Sequence, residues 1–332
     1  MTTKTALITG VSGQTGSYLA ELLLTLGYRV LGMVRRTSTP GHPNLADAAR
    51  LSPTNSGGIF EFVQGDMTDE ASLRKVIEEG QPDEIYNLAA QSFVAASWSQ
   101  PMLTNDVNYL GFIRILEICR QSALDTRIYQ ASSSEMFGNQ PGPQRETTRM
   151  VPRSPYGVAK LAAHRVARVY RESFGMFVSC GICFNHESPR RGIEFVTRKI
   201  AVGFANRAIF EQGNPKVKLG YIDSFRDWGY APDYARAQHM MLQTPEPGDC
   251  VIATGKSHSV REFLIEAHAD AGLSGTWEDH VEIDESLYRP AEVYSLVGDT
   301  TKASEWLKWE PEVDFETLVS IMVQAELDLP LI

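Results

Sequence analysis

Thr5-Ala-Leu-Ile-Thr-Gly-Val-Ser-Gly-Gln-Thr-Gly16 decides the fold. Thr5–Thr9 reads as a short apolar strand. Gly10, Gly13 and Gly16 follow at three-residue spacing, and Ser17–Gly27 then carries helical periodicity ending on a glycine stop. Glycines between a strand and a helix permit a tight turn and close backbone approach to a pyrophosphate, which the helix N-terminus stabilises. A lone glycine triplet could merely pack a helix on a sheet. The further strands that follow favour a dinucleotide site.

Outward from this stretch the pattern alternates. Arg29–Val34, Ile59–Gln64, Glu84–Leu88, Arg127–Ala131 and Phe177–Ile182 read as strands, and Cys250–Thr254 as a short one. Ala71–Glu79, Asp106–Ser122, Pro155–Phe174 and Pro232–Leu242 read as helices. This alternation predicts an α/β fold with a doubly wound parallel, or Rossmann, sheet. Residues 37–58 are rich in Ser, Thr, Pro, Asn and Gly and read as a long loop. After Phe184, prolines, basic pairs and irregular spacing dominate through Arg226. The expected division is a Rossmann part, 1–184 plus 229–256, and a smaller, mostly C-terminal substrate lobe, 185–228 plus 257–332.

The end of the second strand selects the cofactor. NAD sites usually place an acidic residue there for the ribose hydroxyls. This chain has Arg35-Arg36-Thr37-Ser38 instead, and guanidiniums with hydroxyls suit a 2′-phosphate. NADP is the expected cofactor. Gln14 and Thr15 in the glycine loop, Asp66 and Met67 after the third strand, and Leu88, Ala89 and Ala90 at the end of the fourth are further cofactor candidates, with Ser92 a substrate candidate.

Composition excludes other roles. Lys and Arg number 31 against 41 Asp and Glu, a net charge of -10 over 332 residues. Nucleic-acid binding needs a basic face, so it is not expected. No run approaches a membrane span and residues 1–10 carry no targeting pattern, so a cytoplasmic enzyme is the expectation. Among the four cysteines, Cys180-Gly-Ile-Cys183 has the spacing of a redox or zinc half-site. It lies in an apolar run, Phe177–Phe184, where residues three apart point to opposite faces of a strand, and no second Cys-x-x-Cys exists. Inert core cysteines and no metal are expected.

Tyr156 and Lys160 stand four apart in Ser154-Pro-Tyr-Gly-Val-Ala-Lys160, on one face of a helix. A nearby ammonium favours the phenolate, so the tyrosine can act as a base. Base plus hydride acceptor is the minimum for oxidising an alcohol.

With these pieces in place, the chain resembles the extended short-chain dehydrogenase/reductases and, more narrowly, the GDP-mannose 4,6-dehydratase family. The marks are Leu7–Gly16, Asn87-Leu-Ala-Ala-Gln-Ser92, Tyr129-Gln-Ala-Ser-Ser-Ser-Glu135, Pro152-Arg-Ser-Pro-Tyr156, Phe184-Asn-His-Glu-Ser-Pro-Arg-Arg-Gly192, Phe195-Val-Thr-Arg-Lys199, Arg226-Asp-Trp228 and Tyr288-Arg-Pro-Ala-Glu292. The tyrosine–lysine pair marks only the superfamily, whereas Asn185–Gly192 with Phe195–Lys199 is much narrower. The resemblance implies a redox-neutral reaction with tightly held NADP. Tyr156, eased toward phenolate by Lys160, would take the proton of the sugar C4 hydroxyl as hydride leaves C4. Glu135 would take the C5 proton and help expel the C6 hydroxyl as water, and hydride would return to C6. Ser133, where the family has threonine, would polarise the C4 oxygen. The resemblance also places Asn185 at the substrate, His186 and Arg191 at the cofactor, and Lys199, Arg226, Arg289 and Glu292 at the nucleotide sugar. It implies a homodimer or homotetramer, with Arg35 and Arg36 near a neighbouring subunit.

Several positions depart from the family pattern: Thr15 and Asn108 stand where aspartates are usual, Leu103 where a tyrosine is usual, and Tyr294 where an aspartate is expected. Leu103 and Tyr294 fall near the expected binding surfaces and leave open another nucleotide sugar, such as a GDP-heptose. A 4-epimerase or 4-reductase on the same scaffold is the nearest enzymatic alternative, and a non-catalytic NADP-binding protein is the reading from another class.

Overall fold

Seven strands form one sheet in the computed structural model, which describes residues 3–38, 41–51, 58–210, 215–288 and 291–329. They are β1 (Thr5–Thr9), β2 (Arg29–Val34), β3 (Ile59–Gln64), β4 (Glu84–Asn87), β5 (Arg127–Ser133), β6 (Val178–Cys183) and β7 (Asp249–Ile252). Their order is β7-β6-β5-β4-β1-β2-β3, and every neighbouring pair is parallel. β4 and β6 are buried along their whole length, as expected of parallel strands covered on both faces. The order reverses between β1 and β4, and this is where open α/β sheets leave a crevice at the strands' carboxyl ends.

Eight longer helices complete the fold: α1 (Gln14–Thr25), α2 (Glu70–Gly80), α3 (Gly111–Gln121), α4 (Pro155–Phe174), α5 (Val196–Phe210), α6 (Ala231–Gln243), α7 (Val260–Asp270) and α8 (Phe315–Leu327). Leu19 and Leu23 of α1 and Tyr234 and Met241 of α6 bury one sheet face. Leu73 and Ile77 of α2, Phe112 and Ile115 of α3, and Ala163 and Ala167 of α4 bury the other. A separate cluster gathers Ile200 and Phe204 of α5, Phe263 of α7 and Leu318 and Met322 of α8 around Trp228. Cys180 and Cys183 fall in clusters on opposite sheet faces, and all four cysteines are buried and unbridged.

Four local differences from the sequence reading have physical causes. Helix α1 starts at Gln14 rather than Ser17, because Gly16 lies in its first turn: a Cβ there would sit 2.4 Å from the Gly10 carbonyl oxygen. The expected loop 37–58 contains a short helix, Ala46–Leu51, whose Ala48, with Leu45 just before it, joins the α1 core; residues 39–40 and 52–57 lie outside the described residues. The expected helix 106–122 opens with a π-helical turn, Asp106–Leu110, where Asn108 accepts from the Gln91 amide at 2.8 Å and donates to the Gln91 carbonyl at 3.0 Å. Helix α5 was hidden in a stretch read as irregular. Its apolar positions face α7 and α8 as well as Val217 and Leu219, so no single stripe marks it.

β5 and β6 pack with little clearance. A Cβ at Gly181 would lie 2.1 Å from the Tyr129 hydroxyl, and Tyr129 is fully buried with that hydroxyl 3.3 Å from Cys183 Sγ. Gly181→Ala should therefore cost about 1–3 kcal/mol through overpacking. The expected reading is a lower urea midpoint with an unchanged slope; an unchanged midpoint would mean that Tyr129 steps aside freely.

Candidate active site

The carboxyl ends of β1, β4, β5 and β6 open into a cleft of about 1310 Å³. A polar ladder sets its floor. Thr9 Oγ1 donates to Asn87 Oδ1 at 2.8 Å and accepts from the Leu88 and Ala89 amides at 3.1 Å each. Asn87 Nδ2 donates to Gln130 Oε1 at 2.7 Å. The ends of β1 and β4 are thus locked to each other and to β5, which fixes the Leu88–Ala90 turn. The sequence reading gave Thr9 and Gln130 no role; their signal was position, as polar residues within or ending apolar strands.

The glycine loop closes one end of the cleft. Gly10 has φ +69°, and a Cβ there would meet the Ala89 backbone at 2.8 Å. Gly13 N–H donates to the Gly10 carbonyl at 3.0 Å. Gly10, Gly13, Thr15, Gly16, Met67, Ala90 and Ser92 all line the cleft. Gln14 lines it too, but its side chain is committed: Nε2 donates to the His186 carbonyl at 2.9 Å and Oε1 accepts from Ser188 at 2.8 Å. Asp66 is similarly engaged, accepting from the Thr68 amide and hydroxyl at 2.9 and 2.8 Å. Arg35 and Arg36 are exposed and line an adjoining recess with Ser12, Thr37 and His42. Lys75 of α2 lines the same recess. It is a third cation that sequence reasoning missed, since nothing in an exposed helical lysine signals it.

The reacting end is assembled from β5 and α4. Ser133 ends β5, and its Oγ accepts from the Glu135 amide at 3.2 Å. Glu135 sits in the single helical turn Ser134–Met136. Ser154 caps α4 by accepting from the Gly157 amide at 3.0 Å, and Pro155 supplies the first-turn φ. That cap delivers Tyr156 and Lys160 into the cleft, both buried. A Cβ at Gly157 would lie 2.8 Å from the Glu135 carbonyl oxygen, so the bare glycine lets the helix start close to Glu135.

Electrostatics at this end differ from the simple expectation. Burial pushes the Tyr156 phenol up to about 12; a hydrogen bond from Ser133 works against this, and the nearby Glu135 charge adds to it. Lys160 Nζ does not reach for the phenol: it donates to the Ala131 carbonyl at 2.8 Å and lies 5.9 Å from the tyrosine ring centre. Burial lowers Lys160 to about 8. Lys160 therefore stays cationic at neutral pH, yet the phenol is protonated in the protein alone.

The opposite wall comes from the segment after β6. Asn185, in the strand Asn185–Glu187, lines the cleft. His186 stacks on Tyr234 with ring centres 4.6 Å apart. Its Nδ1 lies 2.9 Å from the Phe184 carbonyl oxygen and its Nε2 2.8 Å from Thr15 Oγ1. Burial and the Arg191 charge lower its pKa to about 4. Arg191 is 3.1 Å from Glu187 and lies over the Phe195 ring. Lys199 of α5 reaches the cleft. Arg226 is buried in the wall, 3.4 Å from Glu292 Oε1. Arg289 lies outside the described residues. Away from the cleft, His164, Cys180 and Asp249 bring donor atoms within 4.8 Å of one another. Ser132 holds His164 at 3.0 Å and Arg171 holds Asp249 at 2.7 Å.

Comparison with known proteins follows the same lines. The family profile described as GDP-mannose 4,6 dehydratase matches residues 7–322. GDP-mannose 4,6 dehydratase 1 of Arabidopsis thaliana is 47% identical, over 98% of this chain and 90% of its own. GDP-mannose 4,6 dehydratase of Homo sapiens is 44% identical, over 98% and 91%. The solved UDP-glucose 4-epimerase of Thermus thermophilus, in complex with NAD, superposes with a TM-score of 0.80 at 26% identity, over 96% of this chain and 98% of that one. DesIV, a dTDP-glucose 4,6-dehydratase of Streptomyces venezuelae, shares the fold at a TM-score of 0.83 and 22% identity, over 96% of each chain. A match over nearly the whole chain, together with the cleft that unites Ser133, Glu135, Tyr156 and Lys160, establishes that this chain belongs to the GDP-mannose 4,6-dehydratase family.

Proposed function

We propose that this protein removes water from GDP-mannose to give GDP-4-keto-6-deoxymannose, without net oxidation. The observation that carries this reading is the meeting of a buried tyrosine–lysine pair with a carboxylate, Glu135, at one end of a cleft whose other end is a glycine loop. The same reading assigns residues 1–184 plus 229–256 to cofactor binding and 185–228 plus 257–332 to the nucleotide sugar.

The glycine loop fits a dinucleotide, since a Cβ at Gly10 or Gly16 would collide with backbone atoms that a pyrophosphate-binding turn keeps close. Arg35, Arg36 and Lys75 around the adjoining recess favour NADP over NAD, because they would meet a 2′-phosphate. A bound NADP would supply the acceptor for hydride leaving C4, the donor returning it to C6, and positive charge favouring the phenolate.

The chain's own groups handle the protons. Ser133 holds the Tyr156 oxygen, which as phenolate accepts the C4 hydroxyl proton as hydride leaves C4 and C4 becomes a ketone. Lys160 keeps a cation near the phenol and so opposes its reprotonation. The ketone acidifies the hydrogen on C5, which Glu135 removes. One carboxylate can then protonate the departing C6 oxygen, since elimination needs a base and an acid in turn. As hydride returns to C6, a proton from solvent is added at C5, and Tyr156 releases to solvent the one it took. Arg226, paired with Glu292, and Lys199 line the wall where they would meet the diphosphate.

Removing Glu135's base should stop the second stage only. Glu135→Gln is expected to lower product formation from GDP-mannose by about 10²–10⁴-fold, while exchange of a deuterium label between C4 and the cofactor persists. Full dehydration by the variant would remove Glu135 from the mechanism and leave the dehydratase reading standing. Tyr156→Phe should abolish that exchange along with dehydration. Turnover of the Phe variant would eliminate the phenol as base.

Lys160 also carries a pH signature. Its folded pKa, about 8, is below the ordinary lysine value. Its charge therefore opposes folding in full below about pH 8, and the penalty fades as pH rises toward the unfolded value and the unfolded side chain loses its proton too. A shift of this size corresponds to about 3 kcal/mol. Lys160→Met should be inactive, and its melting temperature relative to wild type should be higher at pH 7 than at pH 10. A pH-independent difference would mean that Lys160 is not held as a buried cation.

A further inference from the structure

The family reading leaves one end of the cleft without an assigned contact. Beyond Arg226 and Glu292, the wall is built by two loops of the C-terminal cluster. Tyr221 follows the short strand Val217–Leu219, and Tyr288 follows the single helical turn Glu285–Leu287. Both line the cleft. Tyr221 meets Tyr288 with ring centres 6.1 Å apart, and meets Tyr294 at 6.2 Å, at interplanar angles of 82° in both cases. Edge-to-face contact at this separation is a favourable aromatic geometry.

The three rings are nonetheless wet: Tyr221 is 38% exposed, Tyr288 44% and Tyr294 59%. Three adjoining aromatic side chains usually bury one another's faces. Here two hold the third edge-on and leave it accessible at the cleft. The backbone beneath is not loose. The Tyr294 amide donates to Asn139 Oδ1 at 3.0 Å, and its carbonyl accepts from the Phe225 amide at 2.8 Å. Phe225 directly precedes Arg226, whose guanidinium donates to the Phe225 carbonyl at 2.9 Å. The aromatic group and the diphosphate-facing arginine are therefore carried on one hydrogen-bonded frame.

We propose that Tyr221, braced by Tyr288 and Tyr294, is the stacking face for the nucleobase of the substrate. This deepens the nucleotide-sugar reading above and rests on it. A flat, accessible ring on the diphosphate side of the cleft suits a planar aromatic base, and base–aromatic stacking contributes enough to matter for affinity. Stacking responds to ring area more than to hydrogen-bond pattern, so this face favours a purine diphosphate over a pyrimidine diphosphate. It also gives Tyr294 a purpose: it positions Tyr221 and is not itself a cleft residue.

Calorimetric titration with GDP and UDP tests the stacking apart from catalysis. Wild type should bind GDP more tightly than UDP. Tyr221→Ala should weaken GDP binding about tenfold or more and raise the KM for GDP-mannose by a similar factor with kcat unchanged, while Tyr221→Trp restores binding. Tyr294→Ala should give a smaller loss of the same kind, and Tyr294→Phe none. Unchanged GDP affinity in Tyr221→Ala, in a protein that still turns over GDP-mannose, overturns the stacking role and leaves the dehydratase reading intact. Failure of wild type to bind GDP overturns both. A rise in KM with no change in GDP affinity would place Tyr221 against the sugar and likewise overturn the base assignment.

Discussion

The cleft depends on how closely the start of α4 can approach the end of β5. Three contacts fix that distance. Gly157 offers no Cβ where one would meet the Glu135 carbonyl oxygen at 2.8 Å. Lys160 Nζ donates to the Ala131 carbonyl at 2.8 Å. Two helical turns after Tyr156, His164 Nδ1 lies 3.0 Å from Ser132 Oγ. Together they hold the start of the helix against β5 and the turn that follows it, and between them they set Tyr156 against Ser133 and Glu135. A displacement of about 1 Å costs catalysis heavily, so these contacts matter beyond the stability they provide. Lys160 in this light has two tasks: it bears charge, and it clamps the strand.

The rest of the cleft is held from below. Thr9, Asn87 and Gln130 join the ends of β1 and β4 to β5 in one hydrogen-bonded unit. Asn108 then holds Gln91 by both backbone groups, so the turn after β4 is fixed at each end. The π-helical turn that presents Asn108 is the kind of local distortion often found beside functional sites. A regular helix from 106 onward would aim that amide elsewhere.

Much of this architecture was legible in the chain. The strands are short, apolar runs bounded by turns, so β2 and β3 carry the limits that their sequence indicates. The glycine spacing and the Ser-Pro-Tyr start of α4 are local signals and reveal themselves locally. What escaped was what depends on partners far along the chain. Helix α5 packs on several sides and lacks a stripe. The helix 46–51 sits in polar sequence and is stabilised by packing on α1. The direction of the Lys160 ammonium follows from a carbonyl 29 residues away, which no i,i+4 argument contains. Spacing put Tyr156 and Lys160 on one face, but it could not say which acceptor the ammonium would choose.

Thr15 and Asn108, which the sequence reading set against the family pattern, each make a hydrogen bond suited to an uncharged side chain. His186 is held neutral by burial and the Arg191 charge. The Phe184 carbonyl can only accept, so Nδ1 is the protonated nitrogen and Nε2 is the acceptor. Thr15 meets that nitrogen with a hydroxyl that can donate. An aspartate at position 15 would require a proton on Nε2, hence a charged imidazole beside Arg191, and would bring a negative charge to the loop that faces a pyrophosphate. Asn108 shows the same logic, because its amide both donates to and accepts from Gln91, whereas a carboxylate could only accept. Each substitution removes a charge and replaces it with a hydrogen bond that needs none. Thr15 and Asn108 thus bring no charge to the cleft, while Ser133, Glu135, Tyr156 and Lys160 meet at its other end.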